Sequence, residues 1–169
     1  FGDDLDALDT RRAPATGTGI CHGDGTLIPC PCGNNGANGN GCANSFNPAG
    51  AHLTGTGLAS VAGDTVALTA SGLSGGLCIF VQGTVLMPPV FIDDGIWCTG
   101  AILRLGSPVV AGGMSTYPTP PQLPVSIKGV LPPAGGTRFY QAFYRNAAAT
   151  FCPPATSNRT NGFQIVWGP

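Results

Sequence analysis

Glutamate is missing from the 169-residue sequence, and charged residues of all types make up only 9% of it. Exposed helix faces in soluble proteins are usually built from Glu, Lys and Arg, so long surface helices are not expected. Glycine and proline, the two poorest helix formers, are frequent instead, with 27 and 16 residues. Because 43% of the residues are hydrophobic, the chain can still bury the core of one domain. The composition therefore indicates a Gly/Pro-rich, all-β domain.

Long apolar runs and basic regions are also missing. No stretch approaches 18 consecutive apolar residues, so no membrane-spanning helix is predicted. The net charge of −1 offers no basic surface for nucleic acid. The chain begins with Phe1 and has no signal-peptide apolar segment, so we interpret it as a secreted protein without its signal peptide, or as an excised fragment.

The few charges are unevenly distributed along the chain. All eight Asp lie at or before Asp94, where only Arg11 and Arg12 oppose them, whereas residues 95–169 contain five basic residues and no acid. Such an asymmetry can steer the association of one copy with another. At so low a charge density it can equally arise by chance.

Four of the seven cysteines lie in the segment CHGDGTLIPCPCGNNGANGNGC, residues 21–42. Zinc sites favour paired C-x-x-C motifs, but Cys30 and Cys32 are separated by one proline, and no second histidine lies near His22. Loops rich in Gly and Asn bury little apolar surface, so they need cross-links, each contributing about 2–4 kcal/mol. Disulfides are therefore favoured over metal, and they indicate an oxidising compartment, outside the cell or at its surface.

Six cysteines are assigned to disulfides and one to a free thiol. Spacing alone leaves the connectivity open; we expect two bridges within residues 21–42 and a third from Cys98 to Cys152. Cys78 lies in the apolar run LCIFV and is expected to be a buried thiol. The predicted disulfide cysteines are Cys21, Cys30, Cys32, Cys42, Cys98 and Cys152.

Eight short apolar runs follow the cysteine-rich segment, separated by turn signals such as SGLSGG, IDDG and PPAGG. Several runs alternate in polarity, PVSIKGVL among them, and TRFYQAFYR carries aromatic residues on both faces, as a central strand would. The pattern predicts a single β-sandwich of jelly-roll or Greek-key type with a disulfide-stapled N-terminal loop region. Residues 1–20 are predicted to be an acidic arm and linker, and residues 21–169 the cysteine-rich sandwich domain.

Four segments together resemble a known but uncharacterised family. They are CHGDGTLIPCPCGNNGANGNGCANS, GDTVALTASGL, DDGIWCTGAILRLGS and TRFYQAFYRNAAATFCPPATSNRTNGFQIVW. They are similar to a cysteine-rich module of secreted proteins from planctomycete-type bacteria, and the resemblance covers residues 21–167. It implies secretion and six of the seven cysteines, with Cys78 as the departure. It implies no activity, cofactor or catalytic residue.

Catalytic motifs are weak in this sequence. Residues 72–76 read GLSGG and match the serine-hydrolase pattern G-x-S-x-G, but a strand-like run follows and both histidines lie upstream, so a hairpin turn is the better interpretation. Asp93 and Asp94, paired with Asp24 or Asp64, could form a glycosidase site, but adjacent aspartates before glycine are first of all turn formers. His22 and His52 are interpreted as turn or surface residues. The glycosylation sequon at residues 158–160 is interpreted as a bare loop.

Three classes of function remain, and no cofactor is predicted. Calcium at the N-terminal aspartates or at Asp93–Asp94 is a minor alternative. A non-enzymatic structural subunit of an extracellular or cell-surface assembly is favoured, a secreted glycan-binding module is the alternative, and a hydrolase is third. For glycan binding, five aromatic side chains could serve as stacking platforms, although strand periodicity assigns most of them to the core. They are Trp97, Trp167, Tyr117, Tyr140 and Tyr144.

The N-terminal segment FGDDLDALDT is predicted to be a contact arm of a homo-oligomer or homopolymer. Its four carboxylates complement the basic half of another copy, and a contact between different surfaces can build a head-to-tail filament. Its apolar residues would anchor it on the neighbour, or on its own domain if it folds back. The predicted contact residues are Asp3, Asp4, Leu5, Asp6, Leu8 and Asp9.

Overall fold

The computed structural model describes residues 16–169, and nine β-strands and one short helix occur in that part of the chain. The two longest strands, of 15 and 12 residues, are joined by a two-residue turn. In chain order the elements are β1 (Thr18–Ile20), β2 (His52–Thr56), β3 (Ala67–Ser71), β4 (Cys78–Ile92), β5 (Gly95–Gly106), β6 (Met114–Tyr117), α1 (Val125–Lys128), β7 (Gly136–Arg145), β8 (Ser157–Arg159) and β9 (Gly162–Trp167).

Two antiparallel sheets pack face to face. The larger sheet has the order β1-β9-β7-β4-β5, with β8 pairing with the second half of β7, and the smaller sheet has the order β2-β3-β6. Apolar side chains from both sheets form one core, which includes Leu53 and Leu68 from the smaller sheet and Phe80, Tyr140 and Ile165 from the larger. This arrangement confirms the predicted all-β sandwich.

Strand β7 lies at the centre of the larger sheet, between β4 on one side and β8 and β9 on the other. The alternation of its side chains between the two faces of the sheet explains this position, because Tyr140, Ala142 and Tyr144 are fully buried in the sandwich core. The intervening Gln141 points to the opposite face and yet is also fully buried. A third layer must therefore cover the outer face of the larger sheet.

Part of that third layer is the far half of the β4–β5 hairpin. Strand β4 pairs with β7 only over residues 78–83, although its pairing with β5 continues to Ile92. Ala101 has a φ of 50° and a bulge lies between Leu86 and Val90, and bulges bend and twist a β-ribbon. The hairpin thus leaves the sheet and folds back over it.

Hydrogen bonds to Gln141 fix the folded-back hairpin against β7. The Gln141 side-chain carbonyl accepts from the Cys98 backbone N–H at 2.9 Å and from the Thr99 hydroxyl at 3.0 Å. Its amide donates to the carbonyl oxygens of Ile96 and Thr160, both at 3.1 Å. Every polar atom of this buried side chain is therefore satisfied, as burial requires.

The rest of the third layer is the loop of residues 21–50. Its backbone segments lie so close together that a Cβ on Gly41 would be 2.2 Å from the Arg159 carbonyl oxygen, and a Cβ on Gly50 2.1 Å from the Gly41 carbonyl oxygen. The side chain of Asn34 connects the loop to the β4–β5 turn, because its amide donates to the carbonyl oxygens of Ala43 and Asp94 at 2.8 and 2.9 Å. Glycine is frequent here because the backbones touch, and asparagine because its amide replaces missing sheet hydrogen bonds.

Three disulfides hold this layer together, and their pairing differs from the expected one. Cys21 pairs with Cys98, Cys30 with Cys42, and Cys32 with Cys152, while Cys78 is the free, buried cysteine. Two bridges were expected within residues 21–42, but only one, Cys30–Cys42, lies there, and the expected Cys98–Cys152 bridge was wrong. The reason is the folded-back hairpin, which carries Cys98 onto the loop and away from Cys152.

Several segments differ from their predicted structure. Residues 18–20 were assigned to the linker but form β1 against β9, so the sandwich begins before the predicted boundary at residue 21. The run PVSIKGVL contains helix α1 rather than a strand; Val125 and Ser126 are both buried, which alternation does not allow. The Asp64 carboxylate accepts a hydrogen bond from the Ser126 backbone N–H at 2.7 Å and fixes the helix start.

Two predicted loops also have other structures. The GLSGG segment, residues 72–76, connects β3 of the smaller sheet with β4 of the larger, so it is a crossing between sheets and not a hairpin turn. The sequon asparagine, Asn158, lies in β8 and is fully buried, and its amide donates to the Ala43 carbonyl at 2.8 Å.

Within residues 16–169, no helix has the length and apolar character needed to cross a membrane.

Candidate functional site

An exposed apolar strand segment is the most unusual surface feature of the described chain. Residues 84–92 of β4, here called the apolar edge, pair with β5 on one side and with no strand on the other among residues 16–169. Unpaired strands with apolar side chains are sites of chain association. The large side chains exposed along it, by 37–57%, are Val85, Leu86, Val90, Phe91 and Ile92.

The apolar edge is interrupted at its centre by Pro88 and Pro89. Three residues, 87–89, lie opposite the single Cys98 of β5, so the strand bulges there. Proline has no N–H to donate to a neighbouring strand, and bulges and prolines are the devices by which natural edges avoid continuous pairing. A strand from another chain is thus disfavoured from pairing with residues 87–89, while the apolar side chains on either side of these residues stay exposed.

A groove of about 400 Å³ lies between the apolar edge and the cysteine-rich loop. The Cys21–Cys98 disulfide contributes to its wall, so the groove is formed where the folded-back hairpin is cross-linked to the loop. Its lining is mainly apolar, with His22 and Thr26 as the polar members. The lining residues are Ile20, Cys21, His22, Thr26, Leu27, Leu86, Met87, Pro89 and Cys98.

Arg159 holds the hairpin tip from the β8 side. Its guanidinium carbon lies 5.6 Å from the centre of the Trp97 ring and 5.1 Å from that of Phe143, and its Nη1 donates to the Ser157 hydroxyl at 2.8 Å. Burial lowers the pKa of Arg159, although the carboxylates of Asp93 and Asp94 act in the opposite direction. Each cation–π contact between a desolvated guanidinium and an aromatic ring stabilises the fold by roughly 1–2 kcal/mol.

The turn that joins β4 to β5 contains the Asp93–Asp94 pair. Asp93 accepts a hydrogen bond from the Ser157 hydroxyl. Asp94 is 1% exposed; one oxygen accepts from the Asn146 amide at 2.5 Å, and its other oxygen has no partner among the described residues. Burial raises the pKa of Asp94 to about 6, and the Asn146 hydrogen bond offsets this only in part.

We expect the protein to become less stable as the pH rises from 4 to 7. The pKa of Asp94 is about 6 in the folded state and 3.8 in the unfolded state, so the folded state binds this proton more tightly. The stabilisation from protonated Asp94 is therefore lost as the pH rises through 6. The loss amounts to about 2–3 kcal/mol. Urea unfolding between pH 4 and 7.5 measures it, and Asp94→Asn should remove most of the slope. An unchanged slope in that variant would contradict the assignment.

Asp24 acts in the opposite direction at lower pH. Burial alone would raise its pKa, but hydrogen bonds from Thr26 and from the Gly39 backbone N–H outweigh burial, and the pKa of Asp24 falls to about 2. This carboxylate therefore stabilises the loop above pH 4, and that contribution is lost as the pH falls towards 2.

The five aromatic residues considered for glycan stacking are not available to a ligand. Each is at least 92% buried: Trp97 lies beneath Arg159, and the other four belong to the sandwich core. Their polar atoms are engaged internally; the Trp167 indole, for example, donates to the Tyr140 hydroxyl at 2.9 Å. These side chains sit at inward-facing or covered strand positions, which confirms the assignment of most of them to the core and rules them out as stacking platforms.

The other candidate residues are dispersed. The Ser74 hydroxyl donates to the Arg145 carbonyl at 2.9 Å, and His22 lies 3.9 Å from Asp24 beside the groove. His52 begins β2, in the smaller sheet. Among residues 16–169, no three His, Cys, Asp or Glu side chains come together as a metal site would require.

The predicted contact arm, Asp3, Asp4, Leu5, Asp6, Leu8 and Asp9, lies outside the described residues. The apolar edge, in contrast, was not predicted from the sequence as an exposed apolar surface. Its sequence, TVLMPPVFI, places apolar residues at consecutive positions, so no alternation marked one face as exposed. The signal present in the sequence was the proline pair in the middle of an apolar run, which is typical of an edge strand.

Comparisons of the chain with models of protein families, with curated proteins and with solved structures found no match.

Proposed function

We propose that this protein is a non-enzymatic structural subunit of an extracellular or cell-surface assembly. The observation that carries the proposal is the apolar edge, residues 84–92, which offers unpaired apolar strand to a neighbour. Three disulfides indicate an oxidising environment, and we place that environment outside the cell. The resemblance to secreted cysteine-rich modules supports the same location.

The construction of the third layer supports a mechanical role. The third layer is held by close packing of backbone segments, by hydrogen bonds from asparagine side chains and by disulfides. It therefore does not depend on a large apolar core. The chain contains few charged residues, so electrostatic repulsion contributes little to keeping two copies apart. A covalently reinforced body with an apolar contact edge suits a subunit that bears load within an assembly.

The full chain is expected to self-associate in a concentration-dependent way. Sedimentation or light scattering from micromolar to millimolar concentration measures this, under non-reducing conditions. Phe91→Ser, in the apolar edge, should weaken association at least tenfold, since it removes the largest exposed apolar side chain there. Val109→Ser is the matched control, because Val109 is 82% exposed but lies outside the edge.

The same experiment tests the contact arm. Deleting residues 1–12 should also reduce association if the arm adds a second, head-to-tail contact, and the two contacts together would support a filament. A full-length chain that stays monomeric at millimolar concentration would contradict the structural-subunit proposal.

A further inference from the structure

One of the three disulfides lies at the protein surface. Cys32 is exposed, whereas the other five bridged cysteines are each at most 6% exposed. Cys32 and its partner Cys152 also line a depression of about 250 Å³, together with Asp93 and residues 153–155. The bridge beside the larger groove has both of its cysteines buried. A soluble thiol therefore reaches the Cys32–Cys152 bridge more easily than the other two.

The Cys32–Cys152 bridge ties the loop between β7 and β8 to the cysteine-rich layer. This loop, residues 147–156, bonds mainly to itself: the Phe151 N–H donates to the Ala148 carbonyl, and the Ala155 N–H to the Cys152 carbonyl. In the described part of the chain, no main-chain hydrogen bond joins residues 147–155 to a residue outside the loop. Cys152 is the only buried residue of the loop. Without the bridge, the loop is held only at its base, by the pairing of β7 with β8.

The other side of the bridge has supports of its own. Cys30, two residues from Cys32, is bridged to Cys42. The Asn34 amide donates two hydrogen bonds, one within the cysteine-rich layer and one to the β4–β5 turn. These contacts hold residues 30–34 in place whether or not Cys32 is bridged. Opening this bridge thus frees the β7–β8 loop and leaves the third layer on the sheet.

We propose that the Cys32–Cys152 bridge is a thiol-exchange site, at which a dithiol reductant releases the β7–β8 loop while the sandwich stays folded. A thiolate of the reductant attacks Sγ of Cys32 and forms a bond with it, and Cys152 leaves as a thiolate that takes up a proton. The second thiol of the reductant then attacks the mixed disulfide and displaces Cys32, which is protonated in turn. The dithiol is oxidised to a disulfide, and its two electrons reduce the bridge.

The exchange gives the protein two covalent states with one fold. In the open state Cys32 carries an exposed thiol, which can form a mixed disulfide with a thiol-bearing molecule. A disulfide oxidant that accepts two electrons closes the bridge again. This inference concerns one bridge and does not rest on the structural-subunit proposal, so either can fail without the other.

The test is partial reduction of the unmodified, full chain with dithiothreitol, followed by alkylation of free thiols and peptide mapping. Cys32 and Cys152 should become alkylated at least tenfold faster than the other four bridged cysteines, because a thiolate reaches them first. Cys78 should stay unlabelled, since it is buried in the sandwich core. If another bridge opens first, or if all three open together, the proposal is overturned.

Hydrogen exchange of the partly reduced, alkylated protein measures the release of the loop. The amides of Phe151 and Ala155 should exchange at least tenfold faster than in the oxidised protein, while those of β3 and of β7 keep their rates. Unchanged exchange at both loop amides, or faster exchange throughout the sandwich, contradicts the release of this loop alone.

Two double variants provide a matched comparison. Cys32→Ser with Cys152→Ser should reproduce the fast loop exchange, whereas Cys30→Ser with Cys42→Ser should leave Phe151 and Ala155 as protected as in the unmodified chain. Equally fast loop exchange in both variants would show that the loop is not held by its own bridge. If either variant fails to fold, the alkylated unmodified chain decides the question by itself.

Discussion

Reduction of the three disulfides is expected to unfold the cysteine-rich layer and to bring the protein close to complete unfolding. At about 2–4 kcal/mol each, the three bridges together contribute roughly 6–12 kcal/mol, which is comparable to the whole stability of a typical domain. Two of them close long chain segments, with sequence separations of 77 and 120 residues. Limited proteolysis of reduced protein should cut first within residues 21–45, where glycine and asparagine replace apolar packing.

Single-bridge variants separate the contributions. Replacing Cys21 and Cys98 by serine should cost the most, because both sulfurs are buried in the small cluster with Ile96 and join the loop to the folded-back hairpin. Cys78→Ala is the control, since its sulfur belongs to the sandwich core and forms no bridge. Thiol labelling of unfolded, non-reduced protein should find one free thiol. Reduced protein that resists protease as well as oxidised protein would contradict a layer held by disulfides.

Gly41→Ala is expected to destabilise the oxidised protein by about 3 kcal/mol or more. The added methyl group would meet the Arg159 carbonyl oxygen at 2.2 Å and backbone atoms of Thr160 at 2.8 Å, and buried backbone in β8 cannot move aside easily. The Gly41 N–H also donates to the Ala51 carbonyl, so the loop cannot shift without losing that hydrogen bond.

Two other glycines provide graded controls for Gly41→Ala. A Cβ on Gly39 would meet no atom within 4 Å, but its φ is +81°, so Gly39→Ala should cost only about 1 kcal/mol from backbone strain. A Cβ on Gly76 would also lie in open space, and its φ is not positive, so Gly76→Ala should be neutral or slightly stabilising. Denaturant unfolding under non-reducing conditions measures the loss of unfolding free energy in each of the three glycine variants. Equal costs at Gly41 and Gly39 would show that the close backbone packing is not what requires glycine.

The sandwich could be predicted from the sequence because its signals are local. The aromatic run in β7 and the alternating run in β3 each indicate a strand by their own pattern, and in β3 alternate residues are buried. The third layer could not be predicted, because it depends on where the β4–β5 hairpin bends. Two predicted strands, LCIFVQG and TVLMPPVFI, are one continuous strand, and only its length allows the fold-back that pairs Cys98 with Cys21.

The candidate contact surface was hidden for a related reason. Whether an apolar strand is covered or exposed depends on its tertiary neighbours, and the first six residues of β4 are mostly buried while the later ones are exposed. For the aromatic residues, by contrast, strand periodicity correctly assigned most side chains to the core, although residue type alone would also have allowed ligand platforms. Sequence patterns identify strands, whereas layer order determines which of their faces meet solvent.

The position of the odd cysteine bears on how long the folded protein keeps its correct bridges. Exchange between a thiol and a disulfide begins with attack by a thiolate. Burial raises the pKa of Cys78 to about 12, and its side chain is fully buried between the sheets, apart from the cluster of bridged sulfurs. Almost no thiolate exists at neutral pH and none can reach a bridge. Disulfide exchange with Cys78 is therefore confined to the newly synthesised chain before the two sheets close, and the folded protein keeps its disulfide pairing in oxidising surroundings.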